Sequence, residues 1–198
     1  MMLDSLVQWD QAATLWLNQL GTPFWDPFWS FISAVKVWFP AYLLFVVFAF
    51  WRLGWKKGLV VLLSLILTVV LTDQLSVLVK NSVMRLRPCY TPWMLEHGIR
   101  LPLGADGGQY GFFSSHASNT FGFAVVSYLS LKGNDSAHDY RIYGICVFVW
   151  AALVSFSRVM VAAHFLGDVL VGTLFGILMG FAVVYAVRWI QSKLLPTN

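Results

Sequence analysis

The chain has 198 residues, of which 59% are hydrophobic and only 11% charged, whereas ordinary soluble domains are about 25% charged and 45–50% apolar. A water-soluble fold of this length leaves roughly a third of its unfolded surface exposed, so the soluble, disordered, fibrous and disulfide-scaffold classes are excluded in favour of a single membrane domain over 1–198. The net charge of +4 arises from basic residues scattered between apolar runs rather than from a dense stripe, which argues against a nucleic-acid partner and leaves the lipid bilayer as the expected one.

Residues 1–36 form an interfacial N-terminal segment. The opening MMLDSLVQWD carries Asp4 and Asp10 and no basic residue, the wrong sign for a secretory signal, so insertion is expected to use the spans themselves. From Leu3 to Leu20, apolar residues such as Leu6, Leu15 and Leu17 mix with Gln8, Asp10, Gln11 and Asn18. That mixture predicts a helix lying in the membrane interface, with Trp9, Trp16, Trp25 and Trp29 at headgroup level. Folding back over the rest of the molecule is the alternative.

The helical core is expected over 37–190. A helix needs about 20 mostly apolar residues to cross roughly 30 Å of hydrocarbon. Five segments come close, near Val37–Trp51, Gly58–Val79, Ser114–Leu131, Ile142–Ser157 and Phe165–Ile190; the first is short and contains Pro40. The expected fold is therefore all-α, a polytopic membrane helical bundle of about five transmembrane helices plus the N-terminal interfacial helix. Between the second and third spans lies a 33-residue loop, 81–113, rich in proline and glycine; loops of that length usually carry function. The two cysteines, Cys89 and Cys146, fall in that loop and within an apolar run, at depths a disulfide would not join.

Five spans put the termini on opposite sides. Arg52, Lys56, Lys57, Lys132, Arg141, Arg188 and Lys193 lie on one side and Lys36, Lys80, Arg85, Arg87, Arg100 and Arg158 on the other. Setting aside Lys80, Arg87 and Arg158, which are candidates for ligand binding, leaves seven against three and predicts a cytoplasmic C-terminus with loop 81–113 facing outward.

Ionisable groups at membrane depth are costly and mark functional sites by default. Three clusters occur, all at span ends on one side. Lys80 and Arg87, seven residues apart, would project from one face if the helix continues to Pro88. Ser114 is a good N-cap, so free backbone N–H groups would point outward beside Ser115 and His116. His164 and Asp168, just after Arg158, are spaced i and i+4, so the carboxylate could orient the imidazole from one helix face. Singly, such a cation snorkels and such a histidine is merely hydrogen-bonded. Together, three cations, two histidines, an aspartate and a helix N-terminus suit a dianionic tetrahedral ligand, with phosphate the obvious candidate.

The three clusters, KNSVMRLRP at 80–88, FSSH at 113–116 and SRVMVAAHFLGD at 157–168, resemble the K-x6-R-P, P-S-G-H and S-R-x5-H-x3-D patterns of the type 2 phosphatidic acid phosphatase superfamily of membrane lipid phosphatases. The first and third match fully. The second keeps Ser114 and His116 but has Phe113 and Ser115 in place of Pro and Gly. The resemblance spans roughly 37 to 190. It implies that His164 is the nucleophile, forming a phosphohistidine, with Asp168 fixing its tautomer, and that His116 is the general acid and then the base. Lys80, Arg87, Ser114, Ser115 and Arg158 would hold the phosphoryl oxygens. Three cations can do the work of a metal, so no cofactor is implied.

The implied substrate is a phosphomonoester or diphosphate of a membrane lipid, with undecaprenyl diphosphate placed first and lipid A phosphate next, then phosphatidylglycerol phosphate and phosphatidic acid. The protein is expected in a bacterial inner membrane, with the site facing outward by the asymmetry of basic residues. Asp73, on the face of Lys80, is expected to partner a basic residue or touch substrate, and His97 and Arg100 to be solvated or near a headgroup. A transporter would spread polar residues through the depth of several spans, and a haem carrier ligated by His116 and His164 would leave the neighbouring charges without purpose.

Overall fold

The computed structural model describes residues 2–104 and 108–194. Its helices are α1 (Met2–Gln19), α2 (Asp26–Ser33), α3 (Phe39–Val83), α4 (Pro92–Glu96), α5 (Ser115–Asn134), α6 (Arg141–Met160) and α7 (Leu166–Leu194). Pro40 sits in the first turn of α3, where its missing N–H has no partner to lose. The 45-residue α3 is not one rod. Gly54, at φ 74° and ψ 172°, takes a backbone conformation open to glycine and closed to residues with a Cβ. After it, Gly58 packs against Phe50, although eight residues of continuous helix would separate them by about 12 Å. The two legs, 39–53 and 55–83, fold against each other, so Phe45 and Ala49 share a core cluster with Val61 and Leu65.

Among the described residues, three helices are long and apolar enough to cross a membrane: Val35–Val83, Arg141–Met160 and Leu166–Lys193. The first is doubled at Gly54 and supplies two legs. The remaining expected span is α5, which packs against α3, α6 and α7. It falls short in apolarity because protein, not lipid, surrounds it. Ala117, Ser118, Ala124, Val126, Ser127 and Leu131 are fully buried, and Ser118, Thr120 and Ser127 return their hydroxyls to the helix's own carbonyls, which satisfies them in an apolar setting. An aromatic cluster closes the core, with Phe123 meeting Tyr42 at 5.1 Å, Phe45 at 5.3 Å and Trp150 at 5.8 Å between ring centres. Cys89 is buried and Cys146 exposed, and both remain thiols.

The N-terminal segment folds back over the bundle, the alternative the sequence offered, with its polarity turned inward. α1 lies over the site end of the bundle. Its Thr14 and Asn18 are fully buried, while Trp9 and Trp16 are 75% and 63% exposed. Asn18 donates to the carbonyls of Met160 (2.9 Å) and Arg100 (3.1 Å) and accepts from the Arg100 N–H (2.8 Å). The polar face thus meets backbone groups that need partners, and the tryptophans face away from the bundle. Residues 89–99 of the long loop pack beneath α1: Cys89, Met94 and Ile99 join Ala162 and Phe165 in a buried cluster flanked by Leu15. At the opposite end, Arg52 pairs with Asp135 at 2.7 Å, the Tyr140 hydroxyl donates to the same carboxylate at 2.5 Å, and Lys57 donates to the Asn134 carbonyl.

Candidate active site

Lys80 stands in the last turn of α3. The helix stops at Val83, and Met84 takes the left-handed conformation (φ 51°) as its C-cap. Arg87 therefore does not continue the face of Lys80 on a helix, as the spacing suggested. Pro88 favours an extended predecessor, and Arg87 is at φ −71° and ψ 159°. Its N–H donates to the Gln109 carbonyl (2.9 Å) while the Gly111 N–H donates to the Arg85 carbonyl (2.8 Å). Loop pairing, not helix periodicity, returns Arg87 to Lys80.

Ser114 caps α5 as expected, its hydroxyl accepting from the Ala117 N–H at 3.4 Å. That hydroxyl is fully buried and committed to the helix. Ser115, standing where the resembled pattern has glycine, takes a different position: its hydroxyl receives the Lys80 ammonium and meets the Ser76 hydroxyl at 2.6 Å.

Arg158 is in the last turn of α6, buried, and donates to the Ser33 hydroxyl of α2. The chain then turns through Ala162 at φ 57°, with the N–H groups of Ala163 and His164 both donating to the Arg158 carbonyl. His164 is thus in the turn ahead of α7, not on the helix face shared with Asp168 that the spacing predicted. Its Nδ1 lies 3.7 Å from Asp168 Oδ2, beyond hydrogen-bond reach, and is buried with no hydrogen bond among the described residues. The Asp168 oxygens are engaged elsewhere. Oδ2 accepts from the Phe165 N–H at 3.0 Å, and Oδ1 pairs with Arg85 at 2.7 Å. Gly111 fits closely at this junction: a Cβ there would stand 3.1 Å from Asp168 Oδ2 and 3.2 Å from Arg87 Cγ, each of which would have to give by a few tenths of an ångström. Burial first, and then the Arg158, Arg87 and Lys80 charges, hold the His164 imidazole well below its ordinary pKa, so the ring is neutral near pH 7 and able to act as a nucleophile.

Lys80, Arg87, Ser115, His116, Arg158 and His164 converge on one end of a cavity of about 700 Å³. Ser114 and Asp168 stand behind its wall. The rest is mainly apolar, with Tyr42, Leu62, Leu65 and Val69 along the two legs of α3, and Asp73, Asn119 and Thr120 are its polar additions. Phe39, Ile66 and Val70 line it yet are 59%, 51% and 50% exposed, so the cavity opens sideways between the legs. His97 stacks on Trp93 with ring centres 4.0 Å apart, and Arg100 pairs with Asp26 at 2.6 Å; neither lines the cavity.

Sequence reasoning missed Ser33, Asp10 and Arg85. Ser33 left no local signal. Arg85 was visible as a third basic residue within KNSVMRLRP, and Asp10 as the start of an Asp10, Thr14, Asn18 stripe with a four-residue period.

The family model described as the PAP2 superfamily matches residues 53–192. The chain belongs to the PAP2 superfamily. Two curated proteins similar to this PAP2 chain are each named lipid A 4'-phosphatase. That of Bacteroides thetaiotaomicron is 26% identical over 194 residues, covering 98% of this chain and 83% of its own. That of Porphyromonas gingivalis is 26% identical over 197 residues, covering 99% and 80%. Among solved structures, a transmembrane PAP2-type phosphatidylglycerolphosphate phosphatase of Bacillus subtilis has a TM-score of 0.70 at 21% identity, over 98% of this chain and 90% of that one. LpxE of Aquifex aeolicus has a TM-score of 0.63 at 22% identity, over 88% and 93%. At these identities the structures establish a shared fold. The matched family stretch begins after α1, α2 and nearly all of the first leg of α3.

Proposed function

We propose that this PAP2 protein is an integral-membrane lipid phosphatase that works through a phosphohistidine and needs no metal. The observation that carries the reading is the cavity's division: cations and two histidines at one end, and a lipid-compatible apolar chamber, open sideways, behind them. A phosphorylated headgroup and an acyl chain call for those two halves side by side.

In the proposed reaction, His164 attacks phosphorus, an N–P bond forms, and the bond to the lipid oxygen breaks as His116 gives that oxygen its proton. Water then attacks the phosphohistidine, losing its proton to His116; the N–P bond breaks and inorganic phosphate leaves. Lys80, Arg87 and Arg158 hold the phosphoryl oxygens and stabilise charge building on them. Ser115 adds a hydroxyl next to Lys80. Ser114 acts through the helix N-terminus it caps, whose dipole favours an anion. Asp168 stabilises the positive charge that develops on His164.

The names of the two curated relatives support a lipid A phosphomonoester as substrate, ahead of undecaprenyl diphosphate, phosphatidylglycerol phosphate and phosphatidic acid. Seven basic residues, Arg52, Lys56, Lys57, Lys132, Arg141, Arg188 and Lys193, lie on loops or helix segments away from the site, which supports an inner-membrane protein with its site facing the periplasm and its C-terminus in the cytoplasm. The test is phosphate release from lipid A, polyprenyl diphosphates and glycerophospholipids, using purified protein in detergent with chelator present. Release from lipid A that vanadate inhibits and His164→Ala abolishes is the expected result. Full turnover by His164→Ala refutes the covalent mechanism, and absence of release from every lipid refutes the enzyme.

A further inference from the structure

We propose that Arg85, anchored by Asp10 of α1, is a positioning residue for Asp168 and through it for His164, so that the N-terminal helix is a working part of the catalytic apparatus. The inference rests on the reading of His164 as nucleophile.

Arg85 does not line the cavity; it lies behind it, between two carboxylates. Its Nη1 donates to Asp168 Oδ1 at 2.7 Å and its Nη2 to Asp10 Oδ2 at 2.6 Å. The guanidinium carbon stands 4.1 Å from the centre of the Phe165 ring. Two carboxylates on separate nitrogens of a rigid planar fork, with an aromatic face against it, fix the group in angle as well as place. Asp168 is fully buried, and a buried carboxylate without a cation is strongly destabilising. Arg85 is the cation paired with it among the described residues.

Asp10 does more than balance Arg85. Its Oδ1 accepts from the Gly167 N–H at 2.7 Å, and the neighbouring Thr14 hydroxyl accepts from the Leu166 N–H at 2.9 Å. The opening N–H groups of α7, which its own helix leaves without partners, are therefore capped by side chains of α1. With Asp168 itself accepting from Phe165, the turn carrying both proposed catalytic groups is held from α1 and from Arg85 together.

The consequence concerns one distance. Asp168 Oδ2 stops 3.7 Å from His164 Nδ1, and a shift of less than 1 Å would bring the pair into hydrogen-bond range as the imidazole becomes positive. Arg85 decides where that oxygen waits. Without it Asp168 keeps its bond from the Phe165 N–H but can pivot about it, and geometry rather than phosphate affinity suffers.

The experiment uses the full-length protein in detergent micelles, with lipid A as probe and inorganic phosphate, the product, as the anion that reports on ground-state binding. Arg85→Met is expected to lower kcat by about 100-fold, the scale of a 1 Å misplacement. KM and the inhibition constant of inorganic phosphate should stay within about threefold, because transition-state geometry and not ground-state binding is lost. Arg85→Lys, which keeps the cation, should recover part of the loss and covers the case in which Arg85→Met fails to fold. Asp10→Asn retains an acceptor for Gly167 and removes the charge; it should lower kcat by about tenfold with Arg85 present and cause no further loss in Arg85→Met, the non-additivity expected of linked residues.

Wild-type kcat in Arg85→Met, equal losses from Asp10→Asn with and without Arg85, or an inorganic-phosphate constant that weakens in step with kcat would each overturn the positioning role. Full turnover by His164→Ala would instead overturn the phosphohistidine reading, and this inference with it. Loss in His164→Ala combined with an unaffected Arg85→Met removes the positioning role alone.

Discussion

Gly172→Ala tests whether close packing of α5 on α7 holds the site together. A Cβ at Gly172 would stand 2.5 Å from the Ser114 carbonyl oxygen, 3.2 Å from Ala117 Cβ and 3.3 Å from the Ser114 nitrogen, where ordinary contact begins at 3.4 Å. The overlap of about 0.9 Å falls on backbone, which cannot rotate away as a side chain would. Alanine gains about 1 kcal/mol over glycine in a helix interior, but overpacking costs about 1–3 kcal/mol, leaving a net loss of up to about 2 kcal/mol. For a chain of this length each kcal/mol lowers Tm by roughly 2–4 °C.

The effect on activity should be larger than the effect on stability. The N-terminus of α5 carries Ser115 and His116, the first turn of α7 carries Asp168, and the Ser114 N–H joins them by donating to the Asp168 carbonyl at 3.0 Å. A displacement near 1 Å between those two ends predicts a loss of about 100-fold in kcat. Gly176→Ala is the control, one turn deeper, with its Cβ pressed on the Ser118 carbonyl oxygen and 2.8 Å from Ser118 Cα; it should melt at least as low as Gly172→Ala with a smaller loss of turnover. Phosphate release and thermal melting in detergent measure both quantities. A Gly172→Ala protein that melts and turns over like the wild type would refute the reasoning.

Val69→Trp places a large ring at the side opening of the cavity, where Val69 is 38% exposed. It should depress turnover of long-chain lipid phosphates while sparing a soluble phosphate ester, and equal losses on both would rule out the chamber as the acyl site. At the far end, the Tyr140 hydroxyl, followed by His138 and Arg52, holds the Asp135 carboxyl well below the ordinary value of 3.8. Because the folded pKa is the lower one, the stabilisation is fully present above the unfolded value and fades as pH falls through the folded one. The melting difference between wild type and Asp135→Asn should shrink as pH falls below about 4; a difference that keeps growing below that point would reverse the assignment.

What could be read from the chain in advance follows from how local each feature is. The spans were legible because a run of apolar residues reports its environment without reference to the rest of the fold. Ser114 was legible as a cap because a cap needs only the three residues after it. Scarcity of charge made Lys80, Arg87, Arg158, His116 and His164 stand out together. The errors came where a local rule was carried past its end. Helix periodicity was extended from Lys80 to Arg87 and from Asp168 back to His164, but Met84 and Ala162 leave the helical region and both residues arrive through turns.

The sequence by itself thus determined that this is a helical membrane protein whose sparse cations and histidines gather at span ends on one side, since composition, period and motif are properties of neighbouring positions. Only the tertiary structure decided how that set is held. Arg85 joins Asp10 and Asp168, 75 and 83 residues away in the chain, and α1 turns its polar side inward because buried N–H groups at the start of α7 need acceptors that α7 cannot supply. Such partnerships depend on which chain ends meet after folding, and no spacing within a single segment encodes them.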